Sequence, residues 1–184
     1  CSHAHGATYD DRRVGSFGAA GAFSLGVVKN LAAYGDGGMV STNVAAVAER
    51  IRLYGTHGQA KKNEHSVYGG NSRLDELHAA MLRVKARLLD ARNQRRAEIA
   101  AYYTERLRSL VVTPPEDPRR THVYHQYVIR TPWRDALRTF LGEMDVETGV
   151  HYPTPIHRQP AWRECYGVPP SLRQLTAETG ELRQ

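Results

Sequence analysis

The chain has 184 residues, 41% hydrophobic and 24% charged, a balance that suits one sizeable globular domain or one domain plus a small second unit. Its formal net charge is +6, but Lys61-Lys62, Arg83 to Arg96, Arg119-Arg120 and Arg134 to Arg138 are spread along the chain with acids between them. They read as solvated helix faces rather than a nucleic-acid surface. No apolar run approaches the roughly 18 residues of a membrane span, and no secretory signal pattern is visible, so neither membrane nor nucleic acid is expected as a partner.

The opening run is Cys1-Ser2-His3-Ala4-His5-Gly6-Ala7. Cys1 and Cys165 are the only cysteines; so distant a pair makes neither a disulfide framework nor a metal-ligand spacing, and a reduced, cytoplasmic setting is the default. Cys1, His3 and His5 would need a fourth ligand to hold zinc, so no metal is assigned. Residues 8 to 17 read as a polar hairpin or turn. Ala22 to Leu25 and Gly38 to Thr42 are short apolar runs bounded by turn residues, which predicts buried strands. Asn43 is placed to cap a helix from about Val44 to Tyr54 that packs through Val44, Val47, Ala48 and Ile51. Gly55 to Gly70 is polar and glycine-containing and reads as a loop.

Leu74, Leu77, Met81, Val84 and Leu88 recur at three- and four-residue steps, predicting one apolar stripe on a long helix that runs to about Leu110. Pro114-Pro115 and Pro118 end it. Beyond them Val123 to Ile129 predicts a strand, Trp133 to Met144 a helix, and Val146 to Tyr152 a second strand, a small α/β lobe. Residues 171–184 read as an irregular tail.

Lys29 carries the clearest chemistry. It lies in Phe23-Ser24-Leu25-Gly26-Val27-Val28-Lys29-Asn30-Leu31, between apolar segments and ahead of the turn Tyr34-Gly35-Asp36-Gly37-Gly38. Partial desolvation of a lysine favours the neutral amine that condenses with a carbonyl. The Ser24 hydroxyl, five residues earlier, could bind a phosphate. A phosphate anchor beside an aldehyde-capturing lysine suggests pyridoxal 5'-phosphate, for which the protein supplies binding and orientation. A surface lysine at a strand end is the plainer alternative.

Four motifs in order decide between them. The runs Cys1 to Ala7 and Phe23 to Gly38, the helix entry Gly69-Gly70-Asn71-Ser72-Arg73-Leu74-Asp75-Glu76-Leu77-His78-Ala79-Ala80, and His151-Tyr152-Pro153-Thr154-Pro155-Ile156-His157-Arg158-Gln159-Pro160-Ala161 together resemble the DegT/DnrJ family of pyridoxal-phosphate-dependent sugar aminotransferases. The resemblance implies an α/β chain that is part of the type I aminotransferase fold: the end of the large domain over 1–73, a connecting helix over 74–110 and a small lobe over 111–170. It implies that Lys29 is the catalytic, cofactor-bearing lysine and that Ser24 binds phosphate. His3 would lie near the cofactor ring, and Asn71 would reach the partner subunit's cofactor phosphate in a homodimer. Asn71 suits a helix cap or turn equally well. Tyr34 and His151 are candidate substrate contacts, and His65 matches the family loop without an assigned role.

The implied reaction moves an amino group from an amino acid, glutamate by preference, to a keto-sugar, nucleotide-linked, in amino-sugar or antibiotic biosynthesis. A keto-cyclitol of the inosose type is the alternative substrate that His3 leaves open. Dehydratase-type relatives have His in place of the lysine, so Lys29 favours transamination. Gly26, Val27 and Val28 depart from the family, where an aromatic or His, Pro and Thr are frequent. The family's ring-binding aspartate would fall immediately before Cys1, and its Gly-Thr phosphate loop earlier still. The isolated 184 residues are therefore expected to be inactive, with function in a longer parent. A non-catalytic truncated product is the competing expectation.

Overall fold

The polar run after residue 7 folds as a hairpin. Strand β1 (Thr8–Tyr9) pairs antiparallel with β2 (Arg12–Arg13), and the two linking residues, Asp10 and Asp11, both take positive φ (44° and 60°). Two consecutive left-handed residues give the turn whose twist matches that of the strands, and Asp tolerates it. This computed structural model describes residues 1–167; the expectations for 171–184 lie outside the described residues. The chain divides into two compact units, Cys1–Leu107 with Pro114–Tyr127, and Arg108–Thr113 with Val128–Gln184.

In the first unit, β3 (Gly21–Ser24) pairs antiparallel with β4 (Gly38–Ser41), in the register Ala22↔Val40 and Phe23↔Met39. The two expected strands exist, but they are not buried: Met39 and Val40 are exposed on the ribbon. Burial begins just past β3. Leu25, only 2% exposed, packs with Leu31, Ala33 and Leu82, and Leu74 and Leu89 close around them. Leu25 also anchors the backbone, donating N–H to Gly37 O (2.7 Å) and accepting at its own carbonyl from Ala33 N–H (2.7 Å). Residues 26–32 thus project as a loop closed at its base, and Lys29 N–H donates to Gly26 O (2.9 Å) to tighten its tip.

Helix α1 (Ala45–Gly55) begins after Val44. Asn43 does not cap it: Val44 takes the cap position with no side-chain cap bond, and the Thr42 hydroxyl accepts from Val44 N–H (3.0 Å) just ahead of the helix. Val47 and Ala48 are half-buried, whereas Val44 and Ile51 are exposed. The expected loop after α1 contains a further hairpin, β5 (Gln59–Lys61) with β6 (Glu64–His65), turned through Asn63 at φ 65°.

The predicted single long helix is two. Helix α2 (Glu76–Ala86) and helix α3 (Leu89–Leu107) are separated by a turn in which Arg87 N–H bonds Val84 O and Leu88 N–H bonds Lys85 O, three residues back. Arg83 and Lys85 in the last turn of α2 and Asp90 in the first turn of α3 complement the two helix dipoles at the break. The buried stripe also differs from the predicted one. Leu74, Leu82 and Leu89 face the Leu25 core, while Leu77, Val84 and Leu88 are exposed.

The segment 119–121 returns to β1: Thr121 N–H donates to Thr8 O (3.1 Å) and Asp10 N–H to Arg119 O (2.7 Å). Residues 123–129 do not form the expected strand. Tyr124 sits at φ 43°, supported by a hydrogen bond from its N–H to His122 Nδ1 (2.9 Å), and a left-handed residue breaks an extended run.

In the second unit Val112 and Arg130 form a reciprocal antiparallel bridge, and α4 (Arg134–Glu143) follows as expected. The second expected strand, Val146 to Tyr152, is absent among the described residues. Asp145 at φ 58° reverses the chain, and Val146 N–H bonds back to Leu141 O (2.8 Å) as the termination of α4. A 3-10 turn (Ile156–Arg158) and helix α5 (Pro160–Tyr166, with proline in the first turn) complete the described unit. No helix among the described residues is long and apolar enough to cross a membrane.

Candidate active site

The loop that leaves β3 presents Lys29 beside the first turn of the chain. Lys29 Nζ lies 2.8 Å from His3 Nε2. Lys29 is half-buried, and Val27 and Val28 before it, which lie beyond the predicted strand Ala22 to Leu25, are 63% and 69% exposed. Ser24 ends β3, and its hydroxyl accepts weakly from Gly26 N–H (3.4 Å). A side chain at position 26 would sit 3.6 Å from that hydroxyl, so glycine there leaves Ser24 open on the same loop as Lys29.

A second layer, which the sequence reading did not single out, stands behind this pair. The His3 ring is packed on His125 with centroids 4.3 Å apart. His125 Nδ1 is 3.2 Å from Asn30 Oδ1; Asn30 Nδ2 donates to Asn93 Oδ1 (3.0 Å) and to Val123 O (2.8 Å); Asn93 Nδ2 donates to His5 O (2.8 Å). Asn30 follows the lysine directly, and that adjacency was the one signal in the sequence that pointed to it. Asn93 and His125 lie too far along the chain for any local pattern to reveal them.

The electrostatics are those of crowded bases. Burial, then the charges of His3, Lys29, Arg96 and His5, push His125 down to about 4. His5, only 2% exposed, is also held below the usual imidazole range, first by burial; the Ser24 backbone opposes this, and Lys29 and His3 add to it. Neither ring nitrogen of His5 completes a hydrogen bond. A cluster in which basic groups repel one another is stabilised by an anion. The donor set thus fits a phosphate-bearing aldehyde: a primary amine, an adjacent imidazole, an open hydroxyl and surplus positive charge.

The remaining expected residues have partners of their own. Tyr34 is exposed, with Lys85 Nζ 4.0 Å over its ring; the same ammonium donates to Ala32 O (2.7 Å). Asn71 is exposed, bridges Thr56 through the backbone, and accepts from Arg73 Nε at its side-chain oxygen (3.0 Å). It caps no helix; α2 starts after Asp75. Its segment is fixed by Gly69, where a Cβ would come within 2.5–3.0 Å of the backbone at Gly58, Tyr54 and His57. His65, in β6, contacts His57 O through Nδ1 (2.9 Å) and so braces the same loop. His151 belongs to the second unit, where it is exposed against Tyr152 with rings 5.4 Å apart. Among the described residues no three His, Cys, Asp or Glu side chains group as metal ligands.

The model of the DegT/DnrJ/EryC1/StrS aminotransferase family matches residues 1–179. The chain belongs to this family. It is 47% identical over 165 residues to the pleiotropic regulatory protein of Geobacillus stearothermophilus, across 88% of this chain and 44% of that one. It is 46% identical over 165 residues to dTDP-3-amino-3,6-dideoxy-alpha-D-galactopyranose transaminase of Aneurinibacillus thermoaerophilus, across 89% of this chain and 46% of the relative. In three dimensions it is similar to S. venezuelae DesV, solved in complex with a ketimine intermediate, with a TM-score of 0.87 and 40% identity over 96% of this chain and 48% of that one. The chain therefore spans just under half the length of the relatives it matches. The resemblance read from the four motifs and the α/β, type I aminotransferase class both hold.

Proposed function

We propose that the whole protein is a pyridoxal-phosphate-dependent aminotransferase that moves the amino group of an amino acid, glutamate by preference, onto a ketone of a nucleotide-linked sugar, in the cytoplasm. Family membership supports the reaction class, and the names of the sugar transaminase relatives support the acceptor class. The observation that carries the reading is Lys29 Nζ at 2.8 Å from His3 Nε2 within a cluster of bases.

Pyridoxal phosphate held there would supply an electron sink and a carrier for the amino group between donor and acceptor ketone. Lys29 Nζ is the amine that would hold the cofactor and, when free, the group that carries a proton to and from the reacting carbon. His3 Nε2 is close enough to exchange a proton with that amine or to turn a ring N–H toward an anionic oxygen. The Ser24 hydroxyl would bind a phosphate oxygen, with Asn71 supplied by the second subunit of a homodimer. Tyr34 and His151 would contact the sugar substrate.

The test uses the full-length protein loaded with cofactor and reduced with borohydride. Peptide mass mapping is expected to find the cofactor on Lys29, and glutamate with a dTDP-linked keto-sugar is expected to give 2-oxoglutarate and the amino-sugar in equal amounts. A cofactor found on another lysine, or no amino transfer to any nucleotide-linked keto-sugar, overturns the proposal.

A further inference from the structure

Two backbone carbonyls fix the proton of a histidine some distance from either. Asn93 Nδ2 donates to His5 O, so the amide of Asn93 has one orientation and turns Oδ1 toward Asn30. Asn30 Nδ2 donates both to that oxygen and to Val123 O; since each partner is only an acceptor, Asn30 is fixed as well. Its Oδ1 must then face His125 Nδ1 at 3.2 Å as an acceptor, and the proton of the neutral His125 ring must sit on Nδ1. The common imidazole tautomer carries its proton on Nε2, so the relay selects the other form.

We infer that His125 is a positioning residue whose Nδ1–H tautomer, set through Asn93 and Asn30, holds the His3 ring against Lys29 Nζ. The inference rests on the reading that Lys29 and His3 form the cofactor site. Three features support it. The His3 and His125 rings are in contact, with centroids 4.3 Å apart. Helix α3 fixes the segment carrying His125, since Arg96, three residues after Asn93, donates to Tyr124 O (3.0 Å). The charged and titratable groups acting on His125 are His3, Lys29, Arg96 and His5, and together with burial they keep its ring neutral well below pH 7. A neutral ring adds no positive charge beside Lys29 and has its one proton committed to Asn30. His125 therefore acts on His3 as a fixed wall and not as a second acid.

The test reads the tautomer directly. Long-range proton–nitrogen NMR on the full-length protein without cofactor should show His125 protonated at Nδ1 only, unchanged from pH 7.5 to 5. In the loaded enzyme, His125→Phe keeps an aromatic wall but loses the tie to Asn30, and should lower kcat about 10- to 100-fold with KM for the amino donor little changed. Protonation on Nε2 in the wild-type protein, or a titration near the ordinary imidazole value, overturns the inference whatever the variant does. So does full kcat in His125→Phe. A cofactor on Lys29 with His125 protonated on Nε2 removes the relay and leaves the proposed function standing. The Nδ1 tautomer with no cofactor on Lys29 does the reverse.

Discussion

Asn93 Nδ2 donates to the carbonyl oxygen of His5 at 2.8 Å, joining α3 to the first turn of the chain across 88 positions of sequence. Both residues are buried, so this bond replaces water for a carbonyl that has little other access to it. Asn93→Leu removes the donor of His5 and one acceptor of Asn30 together. The expected loss is about 1–3 kcal/mol of stability, read as a lower midpoint in thermal or urea unfolding of the full-length protein. A change within about 0.5 kcal/mol, the range of ordinary surface substitutions, would show that the bond contributes nothing.

Three histidines give stability a pH dependence of definite sign. His125, His5 and His122 all have folded values below the unfolded 6.5, with burial the largest cause in each, so the unfolded chain binds more protons as pH falls below that point. Their contribution is fully present above pH 6.5 and is lost as the pH falls toward about 4, the folded value of His125. Allowing for solvent around the exposed His122 and the half-buried His125, the loss over that window is about 1–2 kcal/mol, measured as a falling midpoint between pH 7 and 4.5. His125→Phe should flatten the curve; an unchanged slope in that variant contradicts the assignment.

Gly69 and Gly142 should respond oppositely to alanine. A Cβ at Gly69 would press on backbone atoms of Gly58, Tyr54 and His57, which have no side-chain freedom to yield. Gly69→Ala is expected to cost about 1–3 kcal/mol and to displace the Asn71 segment, which raises the cofactor concentration needed for half-saturation. At Gly142, in the last turn of α4, a Cβ meets nothing within 4 Å, and Gly142→Ala should stabilise by up to about 1 kcal/mol. Equal effects at the two positions would show that backbone crowding does not govern Gly69.

Subunit exchange tests the proposed role of Asn71. If it serves the partner's site, Lys29→Ala mixed with Asn71→Ala gives heterodimers in which one site carries both changes and the other neither. Activity should recover toward one quarter of wild type, since about half of the dimers are mixed and each has one intact site of two. Native mass spectrometry confirms the mixed species; heterodimers without activity would place Asn71 within its own subunit.

The legible parts of this chain were those written in local signals. The Asp10-Asp11 turn, the glycine-bounded strands β3 and β4, and α4 with its terminus at Met144 all follow from neighbouring residues. The Lys29 loop did too. What failed was decided by distant partners. Periodicity chose Leu74, Leu77, Met81, Val84 and Leu88 for the core; the Leu25 cluster keeps Leu74 but takes Leu82 and Leu89 where Leu77, Val84 and Leu88 are exposed, because the helix breaks between Ala86 and Leu89. Val123 to Ile129 alternates like a strand, yet Val123 O is claimed by Asn30 and Tyr124 turns left-handed, so no ladder can form. Asn93 and His125 are an unremarkable helix residue and loop residue until the fold brings them to Lys29.

The relay also fixes when the site can exist. Asn30 meets Asn93, Val123 and His125 at separations of 63, 93 and 95 residues, whereas β3 and β4 need only a short loop between them. Contacts of long separation bear the largest loop-closure cost and tend to form last. The Lys29 loop can fold early with its ribbon, but His3, His125 and Lys29 come into register only once α3 and the 119–125 segment have docked. During refolding, cofactor capture should therefore lag behind the recovery of helix, and a protease cut between residues 31 and 92 should separate Lys29 and Asn30 from Asn93 and His125 without touching any member of the relay.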